Sequence, residues 1–335
     1  MKVHPRFDPV NDERRLDKGN ARLARARGVE PTGAAAIYLG CSLKDLETLE
    51  AMPQGAGDFA YLLENVLQER TLDFYRNANP ASRVLTRGIS LADFRPTTLV
   101  GVGDFPSLQR VAEGAVIQAG AIDDSGETLI LARFGRILGL SDIAIQNDDI
   151  GALNNLAELA AIAAIECENR LLFAVLLSGA GANGPTLRDG QPLFGAAHAN
   201  LMPAAALTAT SLGLAIGALR KQRSIDSALL NLEPALVLVG PDTEVAARTA
   251  LRTVYLDSAS APTVVVDASI TDASFYVLAA PALRPAIVRG YRGRDDGPLV
   301  VARTGFSFDG IEFKVMYDTA IGACDWRPIV RVPSP

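Results

Sequence analysis

The sequence predicts an α+β protein of mixed topology, built around one long central helix. Three patterns favour this class: helical apolar spacing over residues 149–178, β-type runs separated by Gly and Asp over residues 94–147, and alternating helix and strand signals from residue 207 onward. The chain has 335 residues, of which 49% are hydrophobic, so it can bury a substantial core. This length favours two domains, or one large domain with extensions.

The N-terminal part, up to residue 57, is expected to form an arm outside the main core. Its basic residues recur at helix-compatible spacing, and Pro/Gly breaks follow at residues 30–33 and 52–57. A solvated basic helix would show the same pattern. Next, Asp58–Asn77 carries apolar residues three and four apart, which predicts an amphipathic helix capped by Asp58.

A long hairpin is expected to follow this helix. Strand-like runs occur at Thr97–Val102, Val111–Gln118 and Thr128–Ile137, and a polar turn occupies residues 119–127. The region therefore predicts strands joined by a turn that projects from the body of the protein.

The longest predicted helix runs from Asp149 to Ser178, which is about 40 Å at ~1.5 Å per residue. Acidic residues precede it, and Gly179 is placed to end it. Glu166 and Arg170 have the spacing of a favourable surface ion pair. One face is expected to be apolar and buried. Its predicted members are Leu156, Leu159, Ala163, Cys167, Leu171, Ala174 and Leu177.

The C-terminal third predicts helices and strands in alternation. Ser211–Arg223 is amphipathic, and Ala235–Val239 has the pattern of a buried strand. Asp242 is the expected N-cap of a helix through Arg252, and Asp309-Gly310 predicts a hairpin turn. Further strands are expected at Thr263–Val266, Phe275–Ala279, Ala286–Arg289, Leu299–Arg303, Ile311–Val315 and Trp326–Val332.

The charge balance argues against a general nucleic-acid binder, because the formal net charge is −6 and duplex affinity is built from Lys and Arg. Arginine carries nearly all of the positive charge, which suits subunit interfaces because guanidinium groups pair with carboxylates.

The widely spaced Cys41, Cys167 and Cys324 favour a reducing compartment. The polar N-terminal region predicts no signal peptide, and no apolar run is long enough to predict a membrane span.

One glycine-rich string has the pattern of a nucleotide-binding loop. Residues 179–184 match the G-x-G-x-x-G pattern of dinucleotide-binding proteins, which requires a strand before the string and a helix after it. Here a predicted helix precedes the string and Pro185 follows it. A flexible loop is therefore the favoured interpretation, and a dinucleotide-binding enzyme is the less favoured alternative.

Nucleophilic catalysis has few candidate residues. Histidine occurs only as His4 and His198, and nothing in the spacing brings His198 to Cys167 or Cys41. Cys167 lies on the predicted apolar face, where a small buried thiol is expected.

Two aspartate pairs could in principle bind a divalent cation. Asp123-Asp124 falls in the predicted turn and Asp148-Asp149 at a predicted helix start, so each has a sufficient local explanation. The sequence therefore predicts no enzyme, with no catalytic, cofactor-binding or metal site.

Three segments carry a specific resemblance to a known family. They are Ser90–Pro96 with its continuation through Gly103–Leu108 and Val111–Ala115, then Ile143–Ala152, then Asp189–Leu201. In this order and spacing they resemble the major head subunit of Mu-like phages and prophages, most closely the capsid half of fused prohead-protease and capsid proteins. The resemblance covers about residues 58–332, and the protease is not part of this chain.

This resemblance implies the Hong Kong 97-like capsid fold. Residues 1–90 would be the N-terminal arm and 91–140 the projecting E-loop with its flanking strands. Residues 141–204 would form the peripheral domain with the long "spine" helix, 205–300 the axial domain, and 301–335 the strands that return to the peripheral domain.

The implied function is that of a major capsid protein. Copies of the chain would assemble in the host cytoplasm as pentamers and hexamers of an icosahedral shell, with scaffold, prohead protease, portal and decoration proteins as further partners. Packaged DNA would be contacted non-specifically, and no membrane would be involved. An encapsulin-type compartment shares the fold and is the nearest alternative; a tail or portal component fits the pattern poorly.

Contacts between subunits are expected to be non-covalent. Some members of this fold crosslink through an E-loop lysine, but this chain has no Lys between residues 45 and 220. The residues predicted to contribute instead are Asp123, Asp124, Arg133 and Arg136.

Overall fold

A computed structural model of the chain describes residues 56–100, 110, 126–141, 155–224, 227–255, 261–293, 296–304 and 310–335, with the backbone alone for residues 56–65. The predicted arm up to residue 55 and the predicted strand Val111–Gln118 lie outside these residues. The predicted turn at residues 119–127 and the first turns of the long helix lie mostly outside them as well.

Five α-helices occur in the described part of the chain. They are α1 (Ala56–Asn77), α2 (Ala81–Leu85), α3 (Leu156–Leu176), α4 (Ala209–Arg220) and α5 (Glu244–Val254). The clearest start signal is at α4, where Thr208 and Ser211 form a reciprocal capping box that satisfies backbone N–H groups. The predicted cap Asp242 instead lies in a 3₁₀ turn, Pro241–Thr243, and α5 begins two residues after it.

Eleven strands are described. They are β1 (Thr86–Leu91), β2 (Thr97–Val100), β3 (Gly126–Leu129), β4 (Ala132–Ser141), β5 (Pro234–Val239), β6 (Thr263–Val266), β7 (Phe275–Ala279), β8 (Ile287–Arg292), β9 (Leu299–Thr304), β10 (Gly310–Ala323) and β11 (Ile329–Val332). The bounds of β6 and β7 agree with those predicted, because each is a short apolar run with a polar residue directly at one end and a proline, Pro262 or Pro281, close to the other.

The strands form three sheets. One has the order β1-β8-β10-β4, with β9 also paired to β10, and another has the order β11-β7-β5-β6. The third is the antiparallel pair β2–β3, in register from Thr97 opposite Leu129 to Val100 opposite Gly126. The predicted hairpin instead joined Val111–Gln118 to Thr128–Ile137, and the first of these two strands lies outside the described residues.

By contact density the chain separates into two compact units. The smaller unit comprises the described parts of residues 56–73, 136–160 and 299–315. Its core contains Leu67 of α1, Leu156 and Ala160 of α3, and Val300 and Phe313 from strands β9 and β10. Burial of these side chains supplies the hydrophobic stabilisation of this unit.

The larger unit comprises the described parts of residues 74–135, 161–298 and 316–335. The sheet β11-β7-β5-β6 lies between two apolar clusters. On one face, Val237 and Val277 pack with helices α4 and α5. On the other face, Leu238 and Tyr276 pack with Leu172 of α3 and with the loop after that helix. The sheet is therefore covered on both sides, as its continuous apolar strands require.

The predicted buried face of α3 was wrong for several members. Leu156 is buried as predicted, but Leu159, Ala163 and Ala174 are exposed, whereas Ala161 and Leu172 are fully buried. The buried face also contains the carboxylate of Glu168, with 0% exposure, which an apolar pattern does not include.

Two strand predictions also need correction. Thr128–Ile137 is not one strand, because the chain breaks at residues 130–131, where Leu131 turns into the core. The predicted strand Ile311–Val315 continues to Ala323, although Asp318 and Gly322 are poor strand residues. Pairing with β8 stabilises this extension.

Candidate intersubunit surface

Two of the predicted contact residues lie on β4, and one of them belongs to a surface charge cluster. Arg133 donates to both carboxylate oxygens of Asp318 on β10, with N–O distances of 2.7 and 2.9 Å. Arg292 Nε, at the end of β8, lies 2.9 Å from Asp318 Oδ2. The hydrogen bond from Arg133 holds the pKa of Asp318 below its usual value. Asp318 thus fixes two arginines side by side.

An aromatic ring completes this arrangement. The guanidinium carbons of Arg133 and Arg292 lie 5.3 and 5.6 Å from the centre of the Phe94 ring, within the range of cation–π attraction. Asp318 is 12% exposed, whereas the side chains of Arg133 and Arg292 are 49% and 46% exposed. We call these four residues the surface cluster. It presents one excess positive charge on guanidinium groups that keep solvent-facing donors.

The other predicted contact residues have different outcomes. Arg136 is exposed on β4, and Asp123 and Asp124 lie outside the described residues. Sequence reasoning missed Phe94, Arg292 and Asp318. The only sequence signal for Asp318 was a carboxylate in the middle of a β-type run, which is unfavourable unless it has a partner.

A second cluster of charges is buried. Tyr75 and Tyr317 donate their hydroxyls to Glu168 Oε1, and Ser82 Oγ donates to Glu168 Oε2 at 3.0 Å. Arg289 lies 3.4 Å from Glu168 and makes two hydrogen bonds of 2.6 Å to Asp296. We call these six residues the buried cluster. It joins α1, α2, α3, β8 and β10 within the larger unit.

Burial determines the protonation of this cluster. It raises the pKa of both Tyr75 and Tyr317 above the ordinary tyrosine value, and the charge of Glu168 acts in the same direction. The phenols therefore keep their protons and remain donors to the carboxylate. The Glu168 charge is compensated by hydrogen bonds and by Arg289, as a buried carboxylate requires.

The glycine-rich loop serves a structural role in the larger unit. Its Gly181 carbonyl and Asn183 Oδ1 accept hydrogen bonds of 2.7 and 2.8 Å from Arg331. Gly184 has φ +77°, and a Cβ there would lie 2.6 Å from Leu193 Cβ. A helix precedes the loop, whereas a dinucleotide site needs a strand there. The loop offers oxygen atoms to the guanidinium group of Arg331, but a phosphate would need backbone N–H donors. The loop interpretation fits this geometry and the dinucleotide alternative does not.

His198 is a buried structural residue. Its Nε2 lies 2.7 Å from Asp189 Oδ2, its Nδ1 lies 3.2 Å from the Leu193 carbonyl, and its ring stacks on Trp326. Although partial burial opposes it, the hydrogen bond with His198 lowers the pKa of Asp189. Both ring nitrogens of His198 therefore bind oxygen atoms, not the thiols of Cys167 or Cys324, the two cysteines that the structure describes.

The two described cysteines are free thiols. Burial raises the pKa of Cys167, and it raises the pKa of Cys324 to about 11. Arg170 lies 3.8 Å from Cys167 Sγ. A thiol with a raised pKa is a poor nucleophile because less of it is ionised. Cys41 lies outside the described residues.

Within the described ranges, no group of three or more His, Cys, Asp or Glu side chains could hold a metal ion. None of the helices in the described part of the chain is both long and apolar enough to cross a bilayer.

Comparison with known proteins places this geometry in a family. Residues 126–332 match the model of the phage capsid protein family. No curated protein shows significant sequence similarity to the chain.

Solved structures show the fold. A phage-related protein from Bordetella bronchiseptica aligns with a TM-score of 0.51 and 10% identity, covering 78% of this chain and 95% of that chain. The capsid of cyanophage P-SCSP1u gives a TM-score of 0.50 and 10% identity, covering 77% and 88%. The SrpI encapsulin of Synechococcus elongatus gives a TM-score of 0.49 and 13% identity, covering 77% of this chain and 88% of that chain.

The family match spans more than half of the sequence. The chain therefore belongs to the phage capsid protein family, has the Hong Kong 97-like fold, and is a major capsid protein of the virion shell.

Proposed function

We propose that this chain is the major head subunit of a Mu-like tailed phage. Copies assemble in the host cytoplasm as pentamers and hexamers, which close into an icosahedral shell around double-stranded DNA. The proposal rests on the family match and on the three sequence segments that resemble Mu-like head subunits. The shell contacts packaged DNA only non-specifically, in keeping with the chain's acidic balance.

The observation that carries the assembly proposal is the exposed strand β4. It is the outermost strand of its sheet as described, and its adjacent Ile137 and Leu138 are 60% and 48% exposed. Two neighbouring strand residues point to opposite sides, so an apolar side chain is exposed on each side of this edge, next to the exposed Arg133 and Arg136 of the same strand. Exposed apolar residues on an edge strand are an aggregation liability in a monomer. In a shell, neighbouring subunits cover it.

Further partners follow from shell building. Scaffold protein, prohead protease, portal and decoration proteins would each contact the assembled shell.

The subunits themselves would be held by non-covalent contacts, because no lysine lies between residues 45 and 220. On a denaturing gel, mature particles should give single subunits; a ladder of linked subunits would contradict this expectation.

The test is assembly of the purified full-length chain. Negative-stain electron microscopy and light scattering should show closed shells or rings of five and six subunits, either alone or with a co-expressed scaffold. A chain that stays monomeric or dimeric in both conditions would overturn the proposal. Particles that co-purify with one enzyme as cargo would also overturn it, in favour of an encapsulin-type compartment.

A further inference from the structure

We propose that residues 188–191 are the tip of a pH-sensitive clasp, which stays closed while the imidazole of His198 carries a proton on both ring nitrogens. The tip is an exposed turn that lies between the buried Leu187 and Leu193. The clasp belongs to the single folded chain and does not depend on the proposed function.

Both ring nitrogens of His198 face atoms that can only accept a hydrogen bond. Nδ1 lies 3.2 Å from the carbonyl oxygen of Leu193, and Nε2 lies 2.7 Å from the carboxylate oxygen Oδ2 of Asp189. A neutral imidazole has one N–H group and one bare nitrogen, so it can donate to only one of these two oxygens. At the other oxygen two lone pairs would face each other. The geometry therefore requires the doubly protonated, positively charged ring.

A proton on Asp189 would be another way to satisfy the 2.7 Å contact, but the surroundings of this carboxylate disfavour it. Although partial burial opposes it, hydrogen bonds from His198 and from the N–H of Gln191 hold the pKa of Asp189 below its usual value. The Asp189 side chain is also 46% exposed, so water stabilises its charge. The shared proton thus belongs to His198.

The turn before β11 brings charges of both signs close to the ring. Trp326 stacks on the imidazole of His198, and the guanidinium of Arg327 lies 4.9 Å from the centre of the indole ring. Asp325 lies 2.6 Å from Arg284 and 3.6 Å from Arg327. Because Asp325 compensates these two arginines, their repulsion of a charged imidazole is reduced.

Neutral contacts hold the backbone beside the ring. Gln222, at the end of α4, donates its amide to the His198 carbonyl at 3.2 Å. Asn200 is fully buried and donates to the Trp326 carbonyl at 3.1 Å. These bonds do not depend on the charge of the imidazole. Loss of the ring proton therefore releases the solvent-facing Asp189, while the ring stays in place.

The tip also holds the start of β3. The backbone N–H of Arg188 donates to Glu127 Oε1 at 2.8 Å, and its guanidinium donates to the Gly126 carbonyl at 3.3 Å. Arg188 directly precedes Asp189, so release of Asp189 from the ring loosens the residue that makes both contacts. A proton on His198 thus controls how firmly the tip joins β3 to the turn before β11.

The clasp is closed over a defined range of pH. It needs an ionised Asp189, so its contribution is present above about pH 4 and is lost as the pH falls through the lowered pKa of this carboxyl. It also needs a protonated His198. That contribution is complete below about pH 6.5, where an unfolded histidine is protonated too, and is lost when the folded ring releases its second proton. Raising the pH therefore opens the clasp.

Nitrogen NMR of unassembled subunits tests the charge of the ring. At about pH 7, where a free histidine is mostly neutral, both ring nitrogens of His198 should carry protons. Asp189→Asn should lower the midpoint of this titration by about one pH unit, which is about tenfold in proton affinity. Asp93→Asn is the matched control: Asp93 is 54% exposed and pairs with Arg95, so the midpoint should not move. His198→Gln assigns the signal, since His4 is the other histidine of the chain.

Trypsin cleavage after Arg188 tests the release of the tip. His198→Gln removes the ionisable ring, so the variant's cleavage rate should follow only the pH dependence of trypsin. At about pH 6 the wild type should be cut several-fold more slowly than this variant, and at about pH 9 the two rates should be nearly equal. The ratio of the two rates cancels the pH dependence of trypsin itself.

Three results would overturn the clasp. They are a single proton on the His198 ring at about pH 7, equal midpoints for Asp189→Asn and the wild type, and a ratio of cleavage rates that does not change with pH. If His198→Gln does not fold, the titrations of the wild type and of Asp189→Asn still decide the protonation. All of these measurements use single subunits, so their outcome is independent of whether shells form.

Discussion

The buried cluster and the surface cluster use the same chemistry in two environments. In each, carboxylates bind arginine with aromatic side chains alongside, and the partners lie far apart in sequence. Glu168 is fully buried, so its charge must be matched completely inside the chain. Asp318 lies near the surface, so its arginines keep donors for other molecules. Burial thus decides whether such a cluster is satisfied entirely within one chain or keeps donors that face solvent.

The largest effect should come from removing the buried carboxylate. Glu168→Ala leaves Arg289, Tyr75 and Tyr317 without their shared acceptor, which should cost about 3–5 kcal/mol of unfolding free energy. Urea unfolding of unassembled subunits, followed by circular dichroism, measures the loss. Glu166→Gln is the control, since Glu166 is exposed on the same helix and its change should stay within about 0.5 kcal/mol. Equal stability of Glu168→Ala and wild type would show that the buried cluster is not structural.

A smaller loss is expected when single donors are removed. Tyr75→Phe deletes one hydroxyl that bonds Glu168, and a hydrogen bond to a charged group contributes about 1.5–3 kcal/mol. In a double-mutant cycle with Glu168→Gln the two losses should not add, because they remove the same interaction. Additive losses would mean that the hydroxyl stabilises the protein through another contact.

Alkaline pH should destabilise the fold through its buried tyrosines, two of which belong to the buried cluster. Burial raises the pKa of Tyr75 and Tyr317, and it raises the pKa of Tyr276 to about 12. Above pH ~10 the unfolded state loses tyrosine protons that the folded state still holds. The tyrosine contribution to the unfolding free energy is therefore unchanged below pH ~10. At higher pH the unfolding free energy falls by about 1.4 kcal/mol per pH unit for each of these tyrosines. An ultraviolet titration should show these three of the seven tyrosines ionising late or on unfolding. Normal ionisation of all seven would contradict their burial.

The surface cluster should contribute least to the stability of one chain. Asp318→Asn removes the charge between two largely exposed arginines, so the loss should be below about a third of that for Glu168→Ala. Added salt should reduce the difference further, because exposed ion pairs are screened. A loss as large as that of Glu168→Ala would place Asp318 among the residues that hold the fold.

Local patterns predicted much of the fold. Thr263–Val266 and Phe275–Ala279 are apolar runs, each with a polar residue at one end and a proline close to the other, and the structure has both with the same bounds. The helix predicted at Asp58–Asn77 was also found, although it begins two residues earlier, at Ala56. In each case neighbouring residues alone determine the pattern, so no distant partner had to be known.

What the sequence could not show depends on distant partners. The burial of Glu168 was not foreseen, because charged residues rarely lie fully inside a protein. Its donors Tyr75 and Tyr317 lie 93 and 149 residues away. Arg133 was predicted to be a contact residue, but its partner Asp318 is 185 residues away. Only the folded chain brings these groups together.

The stack of His198 on Trp326 gives the molecule an optical label of its own. Trp326 is the only tryptophan in the chain, and its ring lies parallel to the imidazole with 4.4 Å between the centroids. Arg327 lies over the same indole at 4.9 Å. All indole fluorescence of the protein therefore originates from one half-buried ring. A change in emission colour or intensity during shell formation would report on this single position, with no added dye.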